Sequence, residues 1–243
     1  ALHRELEGRG VEFRFGAALQ TARDAGGEVT LQSESGTEVG GALVACAGLY
    51  ADEIARRCGL RQPARIVPFR GEYWVLSPAA AAKVRSLIYP VPDPELPFLG
   101  VHLTRDVHDT VEAGPNAVLA FAREGYSRRD VDFGHLLRLA SWPGGWRLAW
   151  RQRKYVGGEM LRSMSRHQTA RRLRRMVPGL RDEDLLAGGS GVRAQLVDPD
   201  GSLVDDFRFA GEGRMLHVLN APSPAATAAL AIGEHVAERL LAV

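Results

Sequence analysis

Three side chains in this sequence are chemically out of place among their neighbours. Arg70 sits at a kink inside the apolar run Val67-Pro68-Phe69-Arg70-Gly71, Arg193 beside the glycine-rich turn of GVRAQLV, and His102 within Leu99-Gly100-Val101-His102-Leu103. An arginine in a strand that otherwise faces a core must find an anion or a carboxylate. Two of them in one pocket suit a dicarboxylate, because each guanidinium grips a carboxylate through two parallel hydrogen bonds. The alternative is internal pairing with Glu72, Glu112, Asp205 or Asp206, the commoner fate of a buried charge, and for His102 a satisfied, half-buried imidazole.

The last stretch, residues 217–243, offers a second place for chemistry. Residues 215–219 read as a short strand. Asn220, Ala221, Pro222, Ser223 and Pro224 cannot continue it, since two prolines remove two ladder donors. Ser223 suits an N-cap and Pro224 a first helical position. From Ala225 the pattern is helical, with Ala229, Ile232, Gly233, Val236 and Leu240 on one face. Its first turn holds only small residues, so an anion or carbonyl could approach the bare amides. The same sequence equally describes a packing helix with an ordinary cap.

Other chemistries find no support. Gly189-Ser190-Gly191-Val192-Arg193-Ala194 resembles a dinucleotide turn but precedes a strand, whereas that mechanism needs a strand before and a helix after. There is no Gly-Lys-Ser/Thr phosphate loop, no HExxH, no Cys/His cluster and no nucleophile elbow. The arginine-rich run at residues 166–175 lacks interleaved aromatics, and the net charge is only +2, so a solvated helix face is preferred to nucleic-acid binding.

These residues need a scaffold. At 243 residues, 45% hydrophobic and 25% charged, the chain can bury a real core. No transmembrane run appears. Cys46, in an apolar strand, and Cys58, late in a helix, read as reduced structural thiols of an intracellular protein. Residues 1–8 read as helix; residues 11–15, 18–22, 28–33 and a run after Gly36 as strands, the latter three a small antiparallel meander. The continuous apolar run 42–48 predicts a strand buried on both faces, as in a parallel sheet, with a helix over 51–58. Residues 65–77 form a long strand interrupted at Arg70-Gly71, followed by a short helix at 79–85 and strands at 88–91, 99–104, 110–113 and 118–121. Residues 130–177 are helical with breaks, 191–197 return to strand before an Asp198-Pro199-Asp200-Gly201 turn, and 207–210 and 215–219 are the last strands. The order α/β, β, helical, then α/β again predicts two intertwined domains.

The segments ALVACAGLYAD, RIVPFRGEYWVL, LIYPVPDPELPFLGVHLTR, VEAGPNAVLAFAREGY, GVRAQLVDPDGSLVDDF and LHVLNAPSPAATAALAIGEHVA, from about Gly41 onward, resemble the L-2-hydroxyglutarate oxidase/dehydrogenase family, one of the D-amino-acid-oxidase-like flavoproteins. The resemblance implies an α/β plus α+β fold: a partial, Rossmann-like FAD-binding domain with a parallel sheet (residues 1–64 and 197–243), interleaved with a mainly antiparallel β substrate domain carrying a helical insertion (65–196). It implies FAD as cofactor, (S)-2-hydroxyglutarate as substrate, and oxygen or a membrane quinone as electron acceptor. A cytoplasmic location, peripheral at the inner face of the cell membrane, goes with it. Ala47, Gly48, Gly71 and the stretch Asn220, Ala221, Pro222, Ser223, Pro224, Ala225, Ala226 and Thr227 would lie against FAD. Arg70, Arg193, Tyr89 and Asn116 would bind the diacid, and His102 would be the base.

One departure stands out. The family opens with a βαβ unit carrying GxGxxG and an acidic residue for the ribose, and this sequence has neither. The expectation is a C-terminal portion of such an enzyme, holding FAD weakly or not at all. The rival readings are a non-catalytic remnant, or a related flavoenzyme acting on a 2-amino acid or glycerol 3-phosphate.

Overall fold

A computed structural model of the chain describes residues 1–91, 100–153, 165–222 and 225–242. In chain order come α1 (Leu2–Gly8), β1 (Leu19–Asp24), β2 (Val29–Ser33), β3 (Gly36–Gly40), β4 (Leu43–Ala45), α2 (Ala51–Arg57), β5 (Arg65–Leu76) and α3 (Pro78–Ala81). There follow β6 (His102–Arg105), β7 (Val111–Gly114), β8 (Val118–Leu119), α4 (Phe133–Ala140), α5 (Pro143–Arg151) and α6 (Arg166–Leu173). The last elements are β9 (Leu185–Val197), β10 (Arg208–Glu212), β11 (Met215–Asn220) and α7 (Ala229–Leu241). The chain divides into two compact units, Ala1–Gln62 with Asp206–Val243, and Pro63–Asp205.

The first unit holds the antiparallel meander β1-β2-β3 and a second sheet ordered β10-β11-β4. In that second sheet β4 runs parallel to β11, with Leu43, Val44 and Ala45 opposite Met215, Leu216 and His217. The period of two in β11 divides its neighbours. Met215 joins Ala22, Val29, Ala45, Ile54 and Cys58 in one apolar cluster, so meander and α2 share a core. Leu216 and Val218 pack with Val236, Ile232 and Leu240 of α7, the helix face anticipated from the sequence.

The second unit is a five-stranded antiparallel sheet in which the long strand β5 is central. β9 pairs with it along one edge from Arg65↔Val197 to Leu76↔Leu185, and β7 and β8 share the other edge. One face carries Leu76, Leu103, Val111, Ala113 and Leu185 against α3 and α6, a core completed by Leu173 and Leu180. Truncating a fully buried member such as Leu103 to alanine costs about 2–5 kcal/mol. On the opposite face Val67 and Phe69 pack under Trp142 and Leu148 at the α4–α5 corner.

Several local expectations change. Residues 11–15 form no strand: Phe13 and Phe15 stack on each other and Phe13 meets the His3 ring at 4.2 Å, so their alternation serves a local aromatic cluster beside α1. The run 42–48 is strand only to Ala45, where its partner's register ends; Gly48, at φ +51°, turns the chain into a 3-10 turn before α2. Cys46 consequently lies beyond the strand and is exposed, while Cys58 is buried. β5 is continuous through Arg70-Gly71, and its irregularity falls between Glu72 and Trp74. Residues 88–91 make only an isolated bridge, Ile88 to Leu103. β9 starts at Leu185, not at Gly191, because Gly188 lets the β5 backbone close in: a Cβ there would stand 2.5 Å from the Tyr73 carbonyl oxygen. The helical insertion is three short helices among the described residues.

Candidate functional site

In β5, Phe69, Gly71, Tyr73 and Val75 face one way and Arg70, Glu72, Trp74 and Leu76 the other, by strand alternation. Cross-strand partners in an antiparallel ladder share a face. Arg193 is opposite Phe69, His102 is opposite Gly114, and Glu112 is opposite Val75. Tyr89 follows the bridging residue Ile88 and stacks on the His102 ring at 4.3 Å between centroids. Tyr73, Tyr89, His102, Glu112 and Arg193 therefore stand on one sheet face, behind which lies the large apolar core.

The floor of this face is made of small residues. A Cβ at Gly191 would meet nothing within 4 Å, whereas one at Gly114 would lie 2.8 Å from the Glu72 carbonyl oxygen and 3.0 Å from Tyr73 Cδ1. The first position is open to a side-chain atom, and the second presses Tyr73 against the sheet. Burial pushes the Tyr73 phenol above its ordinary value; the Glu112 carboxylate adds to this, the Arg193 guanidinium opposes it and Tyr89 adds a smaller rise. Tyr73 thus stays a hydrogen-bond donor at neutral pH. The His102 Nδ1 lies 3.1 Å from the Gly100 carbonyl oxygen, which can only accept. In the neutral ring Nδ1 therefore carries the hydrogen, and Nε2 keeps a lone pair for a proton.

Arg70 and Arg193 do not share this face. Arg193 pairs with Phe69, and Arg70 with Val192, one residue out of step, so the two guanidiniums leave opposite sides of the sheet. Arg70 is buried and meets internal acceptors: Nε donates to Glu72 Oε1 at 3.2 Å and Nη1 to the Ser127 carbonyl at 3.1 Å. The pairing with Glu72 that the sequence left open is the one observed for Arg70, and the two arginines lie on opposite faces of the sheet and not in one pocket. Asn116 is engaged at both ends of its amide, Nδ2 donating to Glu72 Oε2 at 3.0 Å and Oδ1 accepting the Glu72 N–H at 2.8 Å. Arg128 completes the cluster with two bonds of 2.7 Å to Glu72. Burial alone would raise Glu72; the bonds from Arg128 and Asn116 and the charges of Arg128 and Arg70 outweigh it and hold the carboxyl below its ordinary range. Gly71 packs on Pro115, whose Cβ would stand 2.7 Å from an added Cβ. These residues pin the 115–128 segment to β5.

In the first unit, Ala47 packs against the meander core and precedes Gly48, where an added Cβ would meet open space. Asn220 ends β11 and its Nδ2 donates to the Asp206 carbonyl at 2.8 Å; Ala221 and Pro222 follow. Ser223 and Pro224 lie outside the described residues. Ala225 begins a 3-10 turn over Ala226–Ala228 with no side-chain cap, and Ala226 and Thr227 are exposed. Small side chains, uncapped amides and an open Gly48 fit close approach of a flat ring system with carbonyl acceptors, which is the chemistry of an isoalloxazine. Gly189 to Ala194 lies within β9, so no phosphate turn forms there.

Sequence reasoning did not single out Tyr73 and named Glu112 only as a possible internal partner for an arginine. The signal for Tyr73 was its parity with Phe69 and Gly71 in RIVPFRGEYWVL; Glu112 alternates with the buried Val111 and Ala113.

Comparison with known proteins adds the following. A family model described as FAD dependent oxidoreductase (DAO) matches residues 1–239. L-2-hydroxyglutarate dehydrogenase of Indibacter alkaliphilus is 48% identical over 197 residues, which is 81% of this chain and 49% of that protein. The protein of the same name from Escherichia coli K12 is 41% identical over 99% of this chain and 57% of its own length. The chain spans about half the length of the curated relatives it matches. Among solved structures, dithionite-reduced L-α-glycerophosphate oxidase from Mycoplasma pneumoniae with FAD bound superposes with a TM-score of 0.62 at 17% identity, covering 92% of this chain and 50% of that one, a likeness of fold.

Proposed function

The chain belongs to the DAO family of FAD-dependent oxidoreductases, and from that premise we propose that it carries the substrate-binding face, and part of the flavin-binding unit, of an enzyme that oxidises (S)-2-hydroxyglutarate to 2-oxoglutarate. One observation carries the reading: His102, Tyr89, Tyr73 and Arg193 stand together on one sheet face beside the open floor at Gly191. The identity of 41% to a protein named for that substrate, across 99% of this chain, supports the choice of diacid.

Each side chain then has a task. Arg193 offers parallel N–H donors to a substrate carboxylate. Tyr73, kept protonated, donates to the same end of the molecule. His102, with its Nδ1 hydrogen held by the Gly100 carbonyl, takes the hydroxyl proton at Nε2. Tyr89 packs on the imidazole face and fixes its plane. Arg70, Asn116 and Glu72 hold the backbone of β5 and so the position of Tyr73. FAD, when bound, supplies the hydride acceptor. Ala47, Gly48, Asn220, Ala221, Pro222, Ser223, Pro224, Ala225, Ala226 and Thr227 are the residues we assign to its binding; Gly71, closed over by Pro115, drops out of that set. Electrons leave to oxygen or a membrane quinone, and the protein works in the cytoplasm at the inner face of the cell membrane. No helix among the described residues is long and apolar enough to cross a membrane.

The test is 2-hydroxyglutarate-dependent dye reduction by the full-length, flavin-loaded enzyme. His102→Asn should lower kcat by about 10²–10⁴-fold. Arg193→Ala should cost about 2–5 kcal/mol in kcat/KM, mainly through KM, as expected for a guanidinium that holds a buried carboxylate. A loaded enzyme that turns over a 2-amino acid or glycerol 3-phosphate but not 2-hydroxyglutarate overturns the assignment.

A further inference from the structure

Glu112 stands on the candidate face but has no task in the reaction assigned above. It lies in β7, opposite Thr104 of β6 and Val75 of β5, both neutral. The side chain is half-buried, and its carboxylate makes no hydrogen bond or ion pair among the described residues. The other acidic residue in the strands of this sheet, Glu72, leaves by the opposite face and is held by Arg70, Arg128 and Asn116. A carboxylate left unpaired in a partly desolvated place works against stability, and such local conflicts gather where function needs them.

The ladder places Glu112 near the reacting groups. His102 is opposite Gly114 on one side, and Tyr73 crowds Gly114 from the other, its Cδ1 3.0 Å from where a Cβ would stand. Glu112 is the next residue of β7 on that face, and so lies diagonal to His102. Diagonal neighbours in an antiparallel pair are about 7–8 Å apart, within reach of a long side chain. The Glu112 charge already reaches the Tyr73 phenol, whose ionisation it opposes. Other ways out of the His102 ring are closed. Nδ1 is turned to the Gly100 carbonyl oxygen at 3.1 Å, and Tyr89 covers one ring face at 4.3 Å between centroids. A substrate whose hydroxyl meets Nε2 stands between that nitrogen and open water.

We propose that Glu112 carries away the proton that His102 takes from the substrate hydroxyl. The inference rests on the assignment of His102 as the base. In the oxidation the hydroxyl O–H bond breaks and an N–H bond forms at Nε2, while the hydrogen of the substrate C–H bond leaves with its electron pair to the flavin. Before the next turnover the new N–H bond breaks, its electron pair stays on nitrogen, and an O–H bond forms on the Glu112 carboxylate, directly or through one water. Glu112, open to solvent on its far side, then gives the proton to water. It acts through His102 and is a positioning residue for the proton, not a contact of the substrate.

The experiment follows 2-hydroxyglutarate-dependent dye reduction by full-length, flavin-loaded enzyme with and without added imidazole, a small base able to take the proton instead. Glu112→Gln should lower kcat about tenfold or more and leave KM nearly unchanged. Imidazole should restore the rate of this variant in a saturating manner and leave the parent enzyme unaffected, a response that a merely misfolded variant would not give. Glu112→Asp, which keeps the carboxylate, should retain most of the rate. An unchanged kcat in Glu112→Gln, or a loss that imidazole does not restore, overturns the proposal. His102→Asn separates the two levels: if it turns over at full rate, the base assignment falls and the relay with it, whereas a slow His102→Asn beside a fast Glu112→Gln removes the relay alone.

Discussion

Replacing His217 by leucine should stabilise the protein, and more so in acid. His217 is 1% exposed in the middle of β11, and neither ring nitrogen has a hydrogen-bond partner among the described residues. A neutral imidazole brings one N–H and one lone pair, and each unmade bond in a buried site costs about 1–3 kcal/mol. The flanking cross-strand residues are Ala45 and Ala210, which leave a leucine of similar volume room to settle at a cost of less than about 1.5 kcal/mol. The net gain expected at neutral pH is therefore about 1–4 kcal/mol, or roughly 2–4 °C in Tm for each kcal/mol. Burial also depresses the imidazole pKa below its ordinary 6.5. The unfolded chain then takes up a proton that the folded chain refuses. Stability is full above that ordinary value and is lost as pH falls towards the depressed one, at up to about 1.4 kcal/mol per pH unit. His217→Leu removes this dependence. Urea unfolding followed by circular dichroism, at neutral pH and at about pH 5.5, reads both effects. A variant with a lower urea midpoint at neutral pH and an unchanged acid slope would show that the imidazole is hydrogen-bonded after all, and the reasoning fails.

The Glu72 cluster gives a second test: Glu72→Ala strands Arg70, whose side chain is 5% exposed, and should cost about 3–5 kcal/mol, while Arg128→Ala, with a half-exposed arm, should cost about 1 kcal/mol, both read from urea midpoints. Because Glu72 is held below its ordinary 4.5, the stability it contributes is present above that value and is lost as pH falls through the lowered one, so Glu72→Gln should flatten the acid limb of a thermal-melt pH series. Gly201→Ala should destabilise by about 1–3 kcal/mol in a thermal melt, since Gly201 sits at φ +83° and an added Cβ would stand 2.5 Å from the Leu148 amide nitrogen. Tyr89→Ala should lower kcat while Tyr89→Phe preserves it, because the ring contact with His102, of about 0.5–1.5 kcal/mol, needs no hydroxyl.

Much of the scaffold was readable because its periods are local. The meander 19–40, the parallel strand after Gly41, the α7 face and the Asp198-to-Gly201 turn all follow from alternation, apolar runs or turn chemistry within a few residues. What escaped depended on a distant partner. Residues 11–15 alternate like a strand, yet with no ladder to join they fold back on α1. Residues 185–190 look like a glycine-rich loop, yet β5 offers an open edge and Gly188 lets it close.

The candidate site shows the same limit in sharper form. Arg70 and Arg193 are equally conspicuous in sequence, each a charge in an apolar strand. What separates them is parity across a strand pair: a shift of one residue in the β5–β9 register would bring both to one face. Nothing local to either arginine encodes that register. It is set over thirteen residues of β9 and by the irregularity between Glu72 and Trp74, which re-aims the far half of the sheet. Once the register is known, the chemistry of the two follows from their neighbours. Arg70 lies beside Glu72 and is drawn into an internal pair that holds the backbone, while Arg193 lies on the opposite face, with Phe69 and Tyr73.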